Sequence, residues 1–154
     1  MLILALDLGL QTGFALHDGI DVDRSGVRYL PADHSAAVKS LHEWLRAVVR
    51  KSAVDLIAFE DVPAQAHSGG IAAHLWGAWY GIVLLVARQT GTRYLGVNPA
   101  TWKRAAGLGA GTSEADALRA ARARWPRVPF ETPDEAVARF VAVAACAKVA
   151  RSHP

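Results

Sequence analysis

Cysteine is almost missing from this chain: Cys146 is the only one in 154 residues. No intrachain disulfide can form, and a reducing cytosol is the simplest home. Cys146 stands in an apolar run and reads as a small core residue rather than a nucleophile. Charge is sparse at 20% of residues while hydrophobic residues reach 52%, which excludes a disordered or fibrous chain. There is no internal repeat, no low-complexity tract and no linker-like stretch, so one domain with a sizeable core is expected. No basic stretch precedes the apolar opening "MLILALDLGL", which reaches Asp7 and reads as a strand, not a signal peptide. Only "GIAAHLWGAWYGIVLLVA", 70–87, raises the membrane question, coming close to the ~20 apolar residues of a spanning helix. It holds His74 and sits inside a soluble α/β pattern, so the expectation is a core or dimer-interface helix and no membrane. The formal net charge of +3, with a pI of 9.4, is a mild basic excess, compatible with nucleic acid without requiring it.

What is present is an alternation of short apolar runs and amphipathic stretches. Residues 2–7 form a strand ending in Asp7; "GLQTG" turns the chain, and "FALHD" and "VDRSGVRYL" continue an antiparallel meander. After Ser35, a candidate cap, Val38, Leu41, Leu45, Val48 and Val49 recur at helical spacing. "DLIAFE", 55–60, is a continuous apolar run closed by an acid, as in a buried parallel strand. The apolar helix to about Arg88, the strand "TRYLGV" and a helix in "NPATWKRAAG" with Pro99 at its first position follow. "TSEADALRAARARW" reads as an Arg-rich amphipathic helix stopped by Pro126, and a broadly apolar helix runs from Pro133 to about Lys148. The order βββαβαβ followed by helices predicts a mixed sheet with helices on both faces.

Asp7 and Glu60 each close an apolar strand, which presents a carboxylate at the rim of the sheet, where open α/β sheets bind ligands. Such a charge calls for a counter-charge. A divalent cation is one, and Mg²⁺ favours one or two carboxylates with waters and substrate phosphates. Plainer readings stand beside this: Asp7 as a turn acid, Glu60 paired with a Lys or Arg. Asp61 points to the opposite face by strand alternation and is the weaker candidate. Asp134 is open between two roles. Thr132, Pro133 and Glu135 fit a capping box, and an acid at the second helical position is favoured by the helix dipole alone.

"LALDLGLQTGFAL", "IAFEDVP", "VNPATWKRAAGLGAGTSEADALRAARARWP" and "PDEAVA" come in one order over about residues 2–146. Together they resemble RuvC-like Holliday junction resolvases of the RNase H-like, or retroviral integrase, superfamily. The resemblance implies an RNase H-like mixed five-stranded sheet with helices on both faces. It implies a Mg²⁺- or Mn²⁺-dependent endonuclease acting on branched DNA, four-way junctions above all, as a homodimer. By position, Asp7, Glu60 and Asp134 would bind metal, and Lys103 would bind or activate the scissile phosphate. Where the family's second acid of the last pair falls, one turn after Asp134, this chain has Val137. Three consequences are open: Glu135 stands in, three carboxylates suffice, or the protein binds junctions without cutting.

Further DNA-contact candidates are Thr12, Arg104 and the loop residues Gln65, His67 and Ser68; each polar loop residue is equally a solvated one. Arg119, Arg122 and Arg124 read as a solvated face. Trp76, Gly77, Tyr80 and Gly81 are candidates for the dimer interface, Gly77 and Gly81 being a small-residue pair that lets another helix approach. A different class, an actin-like nucleotide-binding fragment, would share "DLGLQTG" but needs a second phosphate loop that is not there. A structural role without metal predicts that Asp7→Asn and Glu60→Gln change stability alone.

Overall fold

The computed structural model describes residues 1–63 and 69–151, the Asp23 side chain excepted. Its elements are β1 (Ile3–Asp7), β2 (Gln11–His17), β3 (Val22–Tyr29), α1 (His34–Lys51), β4 (Leu56–Glu60), α2 (Gly70–Thr90), β5 (Arg93–Val97), α3 (Pro99–Ala105), α4 (Glu114–Arg124) and α5 (Pro133–Arg151). The strands lie in the order β3-β2-β1-β4-β5, antiparallel across β1–β2 and β2–β3 and parallel across β1–β4 and β4–β5. The mixed sheet expected from the sequence is therefore present.

Strand alternation sorts the side chains between two cores. Ile3, Ala5, Leu56 and Ala58 join Val97, Trp102 and the inner face of α5 on one side. Leu4, Leu6, Ile57 and Phe59 join α1 and α2 on the other. Because successive strand residues point to opposite faces, Asp7 shares the face of Ile3 and Ala5, and Glu60 that of Leu56 and Ala58. Both carboxylates thus belong to the side of α5.

α5 is buried nearly all round, from Glu135 to Ala142 without interruption. Such a helix lies in the interior between layers, and the alanines at 136, 138, 142, 144 and 145 let it sit close to the strands. It comes very near the sheet at Gly13, where a Cβ would lie 2.1 Å from the Asp134 carbonyl oxygen. Gly13 pairs with Asp7 across β1–β2, so one missing side chain seats the start of α5 beside the end of β1.

Local signals at the helix starts hold with two changes. Asn98 caps α3 with Pro99 in its first turn, and a reciprocal Ser113–Asp116 capping box opens α4. The cap of α1 is Asp33, whose carboxylate accepts from the Ala36 N–H at 2.8 Å, not Ser35. At α5, Thr132 Oγ1 accepts from the Glu135 N–H at 3.3 Å, but the Glu135 side chain turns elsewhere, so the box is only half made. α2 is long and apolar enough to cross a membrane by length and composition. One face of it, with Trp79, Ile82, Val83, Val86 and Ala87, is buried on the sheet and α1.

Candidate active site

β1 and β4 run parallel in register to Leu6–Phe59; one step further, Asp7 lies opposite Glu60. The two line a cavity of about 660 Å³ closed by Trp102 and Lys103 of α3, Glu114 of α4 and Val137 of α5. Burial pushes the Asp7 carboxyl well above the ordinary carboxylate range, and the charges of Glu60, Asp134 and Glu114 push it the same way. Glu60 is also raised, by burial first. Trp102 Nε1–H donates to Glu60 Oε1 at 2.6 Å and, with the Lys103 charge, draws its pKa back down. That bond fixes the orientation of Glu60 while leaving its second oxygen for another partner.

Lys103 is the basic group of this cavity, as expected from the sequence, yet it is bound to backbone. Its ammonium donates to the carbonyls of Ala110 at 3.2 Å and Thr112 at 3.0 Å. An ammonium has three donors, so one remains for an anionic oxygen. Among the described residues, no Lys, Arg or His nitrogen forms an ion pair within 4.0 Å with Asp7 or Glu60. The reading of Glu60 as half of a Lys or Arg pair is therefore not what the fold builds.

Carboxylates collected in a half-buried cavity without a paired base suit a hard divalent cation, and Asp7 has no hydrogen-bond donor among the described residues. No three acidic, histidine or cysteine side chains among them stand close enough to hold an ion together as placed. For Mg²⁺ that is no obstacle, because it takes one or two carboxylates and fills its octahedron with waters and phosphate oxygens. The donor chemistry of Asp7 and Glu60 fits such an ion.

Other expected site residues go elsewhere. Asp134 acts on Asp7 through its charge but stands beside the cavity, not on its wall. Glu135 is not a stand-in ligand. It is 4% exposed and turned, about 100° around the helix from Asp134, toward a second cavity of about 510 Å³. There it accepts from Ser25 Oγ and from the Glu131 N–H, and Arg139 Nε donates to the same Ser25 Oγ at 2.7 Å. Thr12 is fully buried, its hydroxyl donating to the Gly9 carbonyl at 2.7 Å, so it staples the turn after β1 and cannot touch DNA. Arg104 is exposed on α3, next to the cavity wall. Gln65, His67 and Ser68 lie outside the described residues. On α2, Trp76 stacks on Tyr80 with centroids 5.3 Å apart, and a Cβ on Gly77 or Gly81 would meet nothing within 4 Å.

Glu114 is the functional candidate that the sequence reading does not nominate. An acid in the first turn of a capped helix has a sufficient local reason in the helix dipole, so only its position across from Asp7 and Glu60 sets it apart.

No family model matches the sequence, and no curated protein does. Solved structures do match. RuvC of Thermus thermophilus in complex with a Holliday junction substrate superposes with a TM-score of 0.80 at 16% identity, covering 99% of this chain and 96% of that one. A second Thermus thermophilus RuvC structure gives 0.77 at 17%, with the same coverage. The yeast mitochondrial Holliday junction resolvase Ydc2 gives 0.63 at 14%, over 97% of this chain and 81% of that one. The architecture is thus the RNase H-like mixed sheet with helices on both faces. Within it, the fold is RuvC-like over almost the whole chain.

Proposed function

We propose that this chain is a divalent-metal-dependent endonuclease of the Holliday junction resolvase type, a single nuclease domain working as a homodimer on branched DNA. The observation that carries this is the pair Asp7–Glu60: two strand-end carboxylates facing one cavity, at the rim of a RuvC-like sheet, without a paired base. Solved proteins of this fold include a RuvC in complex with a Holliday junction, which supports branched DNA as the substrate class.

In this reading Asp7 and Glu60 hold Mg²⁺ or Mn²⁺, with Asp134 adding negative charge beside them. A cation so held would lower the pKa of a water and stabilise the leaving oxygen of a phosphodiester. Trp102 keeps Glu60 in place through its indole N–H. The free N–H of Lys103 binds a phosphate oxygen of the strand to be cut, and exposed Arg104 adds backbone affinity through counterion release. The dimer forms through α2, whose outer face leaves Gly77 and Gly81 open and Ile71 81% exposed.

The test uses a labelled four-way junction and a matched duplex with Mg²⁺, Mn²⁺ or EDTA. Metal-dependent symmetric nicking of the junction is expected. Asp7→Asn should cut it by about 10²–10³-fold, the range that several kcal/mol of lost charge stabilisation produces. Tight junction binding with no nicking under any metal would make the protein a junction binder. Neither binding nor nicking would sink the resolvase reading.

A further inference from the structure

β3 ends the sheet, pairing with β2 on one side only. The Leu30 N–H donates to the Leu10 carbonyl at 2.8 Å, and bonded pairs alternate along an antiparallel ladder. In the register Gly13–Val27 and Ala15–Ser25, the N–H and C=O of Ser25 and Val27 therefore point away from β2. Among the described residues they have no backbone partner on that side. Exposed Arg24 and Arg28 are an ordinary guard on such an edge, but what flanks them here goes further.

A recess of about 510 Å³ opens on each face of the sheet at this stretch. On the α5 face, Arg24 to Val27 stand opposite Val128 and Pro129, with buried Glu135 and Arg139 also in the wall. On the α1 face, Phe14, Trp44 and Val48 form an apolar wall beside Arg24 and Lys51. Phe14 meets Trp44 edge-on there, with centroids 5.5 Å apart. Arg24 and Phe14 line both recesses, so the two meet at the free edge of β3. Neither shares a wall residue with the Asp7–Glu60 cavity.

We propose that the free edge of β3 takes an extended acidic segment of a partner protein, added as a further strand with its side chains alternating into the two recesses. A strand sends successive side chains to opposite faces, which is the shape of this site. Main-chain bonds to Ser25 and Val27 supply affinity, and the recesses supply selectivity. A helix or a nucleic-acid duplex fills one recess at most and leaves the edge unbonded. Charge selects the sequence. No carboxylate lines the α1-face recess, whose cations are Arg24 and Lys51, so that face takes acids. On the other face Arg24 and Arg139 are matched by Glu131 and Glu135, so it takes apolar side chains against Val128 and Pro129. A second copy fits poorly: pairing two β3 strands antiparallel about Gly26 sets Arg24 against Arg28, and like charges directly opposite destabilise.

The test is fluorescence anisotropy of the full chain with a labelled, end-capped peptide of alternating Glu and Val. Its counterpart of alternating Lys and Val and an oligo-thymidine strand run beside it. Val27→Pro removes the outward N–H and spares the bonds to β2, a position where edge strands tolerate proline. Arg24→Glu reverses the shared charge, and thermal melts confirm that both variants fold; Arg24→Glu decides alone if Val27→Pro does not. The acidic peptide is expected to bind and the basic one not, and each substitution is expected to weaken binding by about 10-fold. Affinity unchanged in both variants, equal binding of the basic peptide, or no peptide binding overturns the proposal. Oligo-thymidine bound in place of peptide also overturns it, making the recesses a nucleic-acid groove. A dimer that Val27→Pro dissociates in sedimentation, with no peptide bound, overturns it too, making the edge a contact between copies.

Discussion

The first turn of α5 stands between two cavities that treat acids in opposite ways. On one side Asp7, Glu60 and Glu114 gather with no ion pair among the described residues, and burial and mutual repulsion raise the first two. On the other, Glu135 is bound by Ser25 and a backbone N–H, and Arg139 closes the set through the same serine while lying over the Trp125 and Phe130 rings. Burial lowers the Arg139 guanidinium and the Glu135 charge raises it again. One cavity has its acid satisfied by protein donors; the other leaves Asp7 and Glu60 short of them, and burial raises both. Neighbouring residues Asp134 and Glu135 thus belong to different tasks, one beside a site and one in a structural network.

The contrast breaks most severely at Arg139. Arg139→Leu would remove the donor to Ser25 Oγ and the positive charge that acts on buried Glu135 across that serine, and a loss of about 1–3 kcal/mol is expected, the cost of breaking a buried, charge-assisted hydrogen-bond set. Urea unfolding measures it; a loss below ~1 kcal/mol would mean that the second cavity is not a structural network. Next is Gly13→Ala, whose methyl would fall on the Asp134 carbonyl. Parting β2 from α5 should cost about 1–3 kcal/mol and also weaken Mn²⁺ binding, because the end of β1 and the start of α5 move apart. Stability lost with Mn²⁺ affinity kept would separate packing from the site.

The smallest effect has the most telling sign. Asp7 and Glu60 have folded pKa values above their unfolded ones, so the folded state binds their protons more tightly. Stability of the metal-free protein should therefore fall as pH rises from about 4, the ordinary carboxylate value, through the raised folded values, and then level. Asp7→Asn should raise, not lower, the neutral-pH melting temperature in EDTA and flatten that fall. A melting temperature that drops in Asp7→Asn would show the carboxylate to be a stabilising turn acid, the plain alternative.

How much of this was legible along the chain differs element by element. The runs ending in Asp7 and Glu60 declare central strands with acids at their ends, because a period of two and a closing charge are local facts. Asn98–Pro99 and Pro133 mark helix starts for the same reason. Thr12 suggests a DNA contact by residue type alone, since nothing local shows that its hydroxyl folds back on Gly9. At α1 the sequence offers Ser35 as an equally good cap, and only the fold selects Asp33. The acid nearest the motif, Glu135, is tied up in a buried network, and Glu114, twenty positions before Asp134, lines the cavity instead.

The sequence by itself determined the strand-end carboxylates, the order of elements and the valine at 137. These follow from periodicity, capping and residue identity, which need no knowledge of distant neighbours. Only the tertiary structure decided which acids face one another. That depends on where α4 and α5 are seated against the sheet, and so on contacts such as Gly13 with Asp134, between residues more than a hundred positions apart.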